Sequence, residues 1–398
     1  MDTNELPPLN PPLGTPPPQP PPPPTVPPPV IVPPTQSRPP RKSRGWMVFA
    51  LILLVLLGIS LLFNLGHFIS QLVSIGGGQS HTATGPRLEE TVLEDNGGAS
   101  KIAVISIEGI ISSRMIDQSG FGMVEVIKAQ LQRATEDDHV KAVILKVDSP
   151  GGEVLASDDI SRAIAEFQED RDEKNEKQAG KPVIASMGGL AASGGYYVSA
   201  PCRLIVANEL TITGSIGVIM STWNYRGLMD KVGVRPVTFK SGKFKDMLSG
   251  SRNPEEIPEG ERAMVQAFID ETYGKFKSVV DKGRGSSADK NKKAKHEHRA
   301  LVENWRDYAD GRILSGTEAH ELGFVDQVGD FDTAVDQAAE IAGITKYNVV
   351  EYRLRYDLSD LLRMFGKSES RGMKVDLGLE MPKLEAGRLY FLSPTYLH

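Results

Sequence analysis

A single cysteine, Cys202, in 398 residues excludes an intrachain disulfide and any cysteine-based zinc cluster. It leaves the compartment open, because oxidising compartments permit disulfides without requiring them. In the context Pro201-Cys202-Arg203, with no histidine beside it, the sulfur reads as a small buried group, not as a reactive thiol. Charge of one sign is lacking too. Lys+Arg 45 against Asp+Glu 51 gives a net charge of -6, which offers no basic field to hold a nucleic acid. A hydrophobic content of 40% is nevertheless enough to build a substantial core.

Proline is concentrated at one end. Residues 1–45 hold 19 of the 28 prolines, and proline blocks helix and sheet alike by removing a backbone donor. The segment is expected to be an extended, solvated spacer, with PPII recognition by a partner as the competing reading. From Trp46 to Leu65 no residue is charged, and 20 such residues at 1.5 Å per residue span roughly 30 Å, the thickness of a bilayer core. This predicts a single-pass transmembrane helix. It reads as an uncleaved anchor, with a cleaved signal peptide as the competing view: such a peptide's apolar region is usually shorter, and the chain continues Gly66-His67-Phe68 without a small-x-small site. Arg38, Arg41, Lys42 and Arg44 precede it, so the positive-inside rule places the tail in the cytosol and the rest of the chain outside the inner membrane.

Residues 66–100 read as a linker, with a Gly-rich polar stretch from Gly76. A folded domain is expected over 101–345, followed by an extension of undetermined role, 346–398. Within the domain, strands at Ile102–Glu108, Lys141–Val147 and Pro182–Met187 alternate with helices at Val124–Ala134 and Val154–Phe167, and a charged loop lies at 169–178. Such alternation implies an α/β layered fold with largely parallel pairing, whose site forms at the C-terminal ends of the strands.

Two glycine-rich turns are placed there: Asp148-Ser149-Pro150-Gly151-Gly152, and Gly188 to Tyr197 around Ser193. Ser193 opens a predicted helix over 194–200, where its hydroxyl is accessible. Glycines at 151, 152 and 194 permit the close backbone approach that an oxyanion hole requires. The bland alternative is tight strand-to-helix packing. A serine nucleophile needs a base. Histidine offers little: His67 and His81 precede the domain, His139 abuts a strand, and the next after Ser193 is His296 in a polar run. Triads are defined in space, so sequence order alone does not exclude one. Lysine serves instead if its pKa falls from about 10.4 towards 7 or 8, a differential interaction of about 4 kcal/mol that burial supplies. Lys240, Lys243 and Lys245 follow an apolar run, Val234–Phe239, that reads as a strand, and physical reasoning does not choose among them.

Four motifs in order, GGLAASGGYY at 188–197, TGSIGV at 213–218, SGKFKD at 241–246 and ADGRILSGTEAHELGFVD at 309–326, resemble peptidase family S49, the signal peptide peptidases, in their short single-domain form. The resemblance covers roughly 101–345. It implies a ClpP/crotonase-like α/β domain in which Ser193 is the nucleophile and Lys245 the general base. It also implies that Ser215 orients the lysine amine; read alone, Ser215 is equally a turn-capping serine. Gly151 or Gly152, together with Gly194, would donate the oxyanion-hole amides. No cofactor or metal is called for, and His296 with His298 makes a weak metal pair. The implied substrates are remnant signal peptides or other hydrophobic peptides. The implied assembly is a homo-oligomer, because the SGGYY and SGKFKD segments each occur once.

The same fold has other uses. A ClpP-like triad would need a histidine where Val218, Ile219 and Met220 stand, and a crotonase-type enzyme would need CoA outside the cytoplasm. A catalytically silent membrane scaffold with a partner-binding tail is a different class altogether. The basic run from Asp289 to Arg299 reads as a solvated surface excursion.

Overall fold

The computed structural model describes residues 45–76, 85–114, 121–169, 171–173, 176–178, 180–355 and 389–392. The proline-rich tail, apart from Gly45, lies outside the described residues. The chain divides into two units, Met1–Thr82 and Ala83–His398. In the first, the expected span falls within helix α1, Gly45–Gly76, 32 residues long. Its described side chains, 47–62 and Asn64, are all exposed. Among the described residues no helix is long and apolar enough to cross a membrane.

The second unit contains β1 (Leu88–Glu94), β2 (Ser100–Glu108), α2 (Met123–Glu136), β3 (Val140–Ser149), β4 (Gly151–Glu153), α3 (Val154–Phe167), β5 (Arg171–Glu173), β6 (Glu176–Gln178), β7 (Val183–Ala192), α4 (Gly194–Ser199), β8 (Leu204–Ala207) and β9 (Ile212–Gly214). It continues with α5 (Arg226–Lys231), α6 (Glu259–Ala294), β10 (Ile313–Ser315), α7 (Gly316–Glu321), β11 (Gln327–Val328), α8 (Phe331–Ala342), β12 (Tyr347–Leu354) and β13 (Tyr390–Leu392). A nine-stranded sheet runs β1-β12-β2-β3-β7-β8-β11, with β9 joined to β7 and β10 to β9. Six of its pairings are parallel, and β1–β12 and β9–β10 are antiparallel.

The strands read as continuous apolar runs because both faces are covered. Ala103, Ile105, Ile107, Val143, Leu145 and Val147 face one core with α2, α3 and α4. Ile102, Val104, Ala142 and Ile144 face the other with Ala334, Val335, Ala338 and Ala339 of α8. Each fully buried Ile, Val or Leu contributes roughly 1.5–3 kcal/mol, so the two-sided central strands anchor the fold. Helix α8 is fixed at its ends: Asp330 caps the Thr333 amide at 3.0 Å, and Gly343 closes it in the left-handed region, where glycine carries no Cβ penalty.

Several sequence boundaries move. The sheet begins at Leu88, inside the expected linker, because β1 pairs with β12, and β12 lies beyond the expected domain end at 345. Neither strand borders the predicted α/β alternation, so periodicity alone attached them to nothing. The charged stretch at 169–178 carries the short hairpin β5–β6. Gly188 to Ala192, expected to be a turn, continues β7, because that strand leaves β8 and pairs with β9 at Leu190↔Ile212, Ala191↔Thr213 and Ala192↔Gly214. The strand expected at Val234–Phe239 does not form. Val234, Val237 and Phe239 are exposed and no strand of this chain pairs with them among the described residues. The run from Asp289 to Arg299 is mostly exposed, as expected, but its first part is helix: α6 extends through it to Ala294 and buries Asn291, which donates to the Arg203 carbonyl at 2.9 Å.

Candidate active site

The ends of β3, β7 and β9 converge on one place. Because Ala192 pairs with Gly214, the next residues on the two strands, Ser193 and Ser215, emerge side by side, and the Ser193 amide donates to the Gly214 carbonyl at 2.8 Å. Both serines have positive φ, 53° and 51°. Non-glycine residues in that region carry strain of order 1–3 kcal/mol, which persists where the surroundings over-determine it and gathers at functional sites. At Ser193 the strain comes from an abrupt change from strand to helix: α4 starts at Gly194, and the Tyr197 amide already donates to the Ser193 carbonyl at 2.8 Å. Ser193 is 1% exposed, and its Oγ has no hydrogen-bond partner among the described residues. A buried hydroxyl without a partner is costly, so it is the kind of exception that calls for a chemical reason.

The Ser149–Gly152 turn abuts this corner. A Cβ on Gly194 would lie 3.0 Å from the Gly151 Cα and 3.1 Å from the Gly152 nitrogen, so only glycine allows the two turns to approach this closely. Gly151 has φ of +101°, and its amide donates to the Ser149 hydroxyl at 3.1 Å. That bond distinguishes two glycines the sequence left equivalent: the Gly151 amide has a partner in Ser149. Two further residues hold the frame and carried no sequence signal. Asp148 accepts from the Leu190 amide at 3.1 Å, and Thr211 donates to the Gly188 carbonyl at 2.8 Å. Signals of this kind exist only across strands.

Beside Ser215 opens a cleft of about 420 Å³, lined by Ser215, Val218, Ile219, Asp270, Tyr273 and Asp310 among others. Asp310 is held down to about 2, chiefly by its hydrogen bonds from the Arg312 guanidinium, so it stays ionised within an ion pair that the guanidinium neutralises.

The lysine segment stands apart from this arrangement. Lys240 is paired with Asp246 at 2.7 Å, and Lys243 lies over the Phe244 ring at 5.1 Å from its centroid. Lys245 is exposed, with its amide turned back to the Gly242 carbonyl at 3.4 Å. One chain therefore brings Ser193, Ser215, Gly151, Gly152 and Gly194 together but gives Lys245 no burial. Cys202 is fully buried at the end of this layer, and burial pushes its thiol up to about 12, in keeping with an inert packing role. His296 faces Glu340 at 3.3 Å, while His298 Nδ1 lies 3.0 Å from the His296 carbonyl, so the two imidazoles do not converge.

The profile of Peptidase family S49 matches residues 175–345. The chain is 35% identical over 270 residues to a putative signal peptide peptidase SppA of Enterococcus faecium, covering 67% of this chain and 71% of that protein. It is 36% identical over 281 residues to a putative protease of Synechocystis sp., covering 70% and 88% respectively. Protease 4 of Haemophilus influenzae is 32% identical over 249 residues, which is 63% of this chain and 36% of that longer protein. With a relative aligned over most of both sequences and the strained serine at the end of a central strand, the chain belongs to peptidase family S49 and is a serine protease.

Proposed function

We propose that Ser193 is the nucleophile of this protease and Lys245 its general base, acting on hydrophobic peptides such as remnant signal peptides at the outer side of the cytoplasmic membrane. The observation that carries the nucleophile is the buried Ser193 hydroxyl without a partner among the described residues, held at φ 53° beside the Gly151–Gly152 turn. In this reading Ser193 Oγ attacks the peptide carbonyl and its proton passes to a neutral lysine amine. The Gly194 amide and that of Gly152 stabilise the tetrahedral oxyanion, and the lysine returns the proton to the leaving amine. Gly152 is taken as the donor because the Gly151 amide donates to Ser149 within its own turn, whereas Gly152 faces Phe391 of the β4–β13 ladder, which has to open before its amide can serve. Ser215, adjacent to Ser193, orients the lysine amine.

Lys245 is exposed in the single chain, and a lysine base needs burial. We propose that a homo-oligomer supplies it. Support comes from large apolar side chains left exposed in the segments preceding Lys245, with Trp223 84%, Val237 78% and Phe239 93% exposed, of the kind that contact surfaces bury. The uncharged run 46–65 within α1 is the proposed anchor, with the tail cytosolic.

The test is hydrolysis of apolar peptides by the full chain in detergent, comparing wild type with Ser193→Ala, Lys245→Ala and Lys243→Ala, each checked for folding and assembly. Loss in the first two and retention in the third is expected. Mixing Ser193→Ala with Lys245→Ala restores partial activity if copies share the dyad, whereas full activity in Ser193→Ala would move the nucleophile elsewhere.

A further inference from the structure

Backbone strain marks one more place besides the two serines. Among the described residues four that are not glycine have positive φ: Ser193, Ser215, Leu248 at 63° and Lys295 at 60°. Lys295 is the left-handed cap that ends α6. Leu248 ends no helix, and it stands three residues after Lys245. Such strain persists only where the surroundings over-determine the backbone. Apolar packing does not do so here, since 240–245 are all exposed.

A buried carboxylate does it instead. Glu261 of α6 is 3% exposed; its Oε1 accepts from the Leu248 amide at 3.0 Å and its Oε2 from Arg252 Nη1 at 2.7 Å. Glu261 is the third residue of α6, a position from which glutamate ordinarily reaches back to the amide of the capping residue. That residue is Pro258, which has no amide hydrogen, so the carboxylate turns outward to the Leu248 turn. Arg252 carries the connection on: it donates to the Glu256 carbonyl at 3.0 Å and lies 3.6 Å from the carboxylate of Asp246, the residue after Lys245. The Arg252 carbonyl in turn accepts from the Asn224 side chain at 2.9 Å. The far half of the same helix holds the element that Ser193 opens, for Arg284 and Ser287 donate to the Cys202 carbonyl, just past α4, at 3.0 and 2.8 Å. A buried charge is a costly way to hold an exposed turn, which points to a turn whose position matters.

We propose that Glu261 is a positioning residue for the base: through the Leu248 amide and Arg252 it holds the strained turn in one conformation, and so sets where the Lys245 amine is presented to the nucleophile. The proposal rests on the reading of Lys245 as general base. It is tested in the full chain in detergent with Glu261→Ala, which removes the acceptor, and Glu261→Gln, which keeps one for the Leu248 amide. In Glu261→Ala, amide hydrogen exchange over 246–250 should quicken roughly tenfold while 265–280 of α6 exchange as in wild type. Hydrolysis of an apolar peptide at pH 8 should lose roughly tenfold in kcat with KM within about twofold, because the base acts in the chemical step. A lysine no longer held in place returns towards its ordinary pKa of about 10.4, so the acid limb of kcat/KM should move up by about one unit. The other charged groups around the turn, Lys240, Lys243, Asp246, Arg252, Glu256 and Arg262, are the same in every variant. Loss of a carboxylate by itself lowers the pKa of a nearby lysine, so an upward move reports lost position and not lost charge. Glu261→Gln should restore most of the kcat and of the acid limb. A lower melting midpoint with kcat and the acid limb unchanged is what a merely structural role gives, and it overturns the proposal. So does unchanged exchange over 246–250, or exchange raised throughout α6. If Glu261→Ala keeps its kcat while Lys245→Ala is inactive, the base stands and the positioning role falls; if Lys245→Ala is itself fully active, both fall together.

Discussion

Replacing Ser193 by alanine should abolish hydrolysis and, in the dissociated single chain where Lys245 is exposed, stabilise the fold. The hydroxyl is buried, and its Oγ has no hydrogen-bond partner among the described residues. A buried polar group in that state costs about 1–3 kcal/mol of desolvation. Alanine removes the hydroxyl and keeps the Cβ, so the strain of φ 53° is the same in both proteins and cancels from the comparison. The cavity left by one oxygen offsets part of the gain, leaving a net stabilisation of about 1–2 kcal/mol. For a domain of this size each kcal/mol raises Tm by roughly 2–4 °C, so the melting midpoint should rise by about 2–8 °C. Scanning calorimetry of wild type and variant at equal protein concentration measures it, with peptide hydrolysis recorded on the same samples. Stability given up for function is a familiar pattern at active sites. A midpoint of the dissociated chain that falls would refute the reasoning; in the assembled protein the proposed lysine amine is the hydroxyl's partner, and the gain should shrink or reverse there.

Other expectations concern the frame. Arg284 and Asp326, both fully buried, form an ion pair in which Arg284 also donates to the Cys202 carbonyl at 3.0 Å and Asp326 accepts from the Ile205 amide at 2.8 Å. Arg284→Met, which strands the carboxylate, should cost about 3–5 kcal/mol in urea unfolding, and Arg284→Met with Asp326→Asn distinctly less. Gly152→Ala would set a Cβ 1.9 Å from the Ile111 carbonyl oxygen, so the turn must move and hydrolysis should fall roughly 100-fold or more in steady-state assays. Cys202 should resist thiol reagents at pH 8 until denaturant is added, as counted by mass spectrometry, because its thiol is buried and raised to about 12. Burial opposes charge on both Lys101 and Asp137, yet their mutual bond, with Glu90 on the lysine and the His139 amide on the aspartate, raises Lys101 and lowers Asp137. Their stabilisation is therefore present between about pH 4 and 10, is lost as pH falls below the ordinary aspartate range, and is lost again as pH rises past the lysine's. Lys101→Met should remove up to about 1 kcal/mol inside that window and little outside it, measured as Tm against pH.

The chain's covalent order determined much by itself. Continuous apolar runs bounded by glycine turns are readable locally, so β2, α2, β3, α3 and the start of β7 were legible. Cys202 was legible as inert for the same reason: burial of a lone small apolar group needs no partner to be foreseen. What needed the folded chain were relations between distant residues. Only the Ala192↔Gly214 register sets Ser193 beside Ser215, and only the Ser149 hydroxyl tells Gly151 from Gly152. Only the ion pair of Lys240 and the ring contact of Lys243 separate those lysines from Lys245. Residues 389–392 carry too short a pattern to announce a strand. They become one because β4 and Ile219 present unpaired backbone edges from more than 150 residues away in the chain, and a hydrogen-bonding edge is a property of the assembled sheet that no local run of side chains encodes.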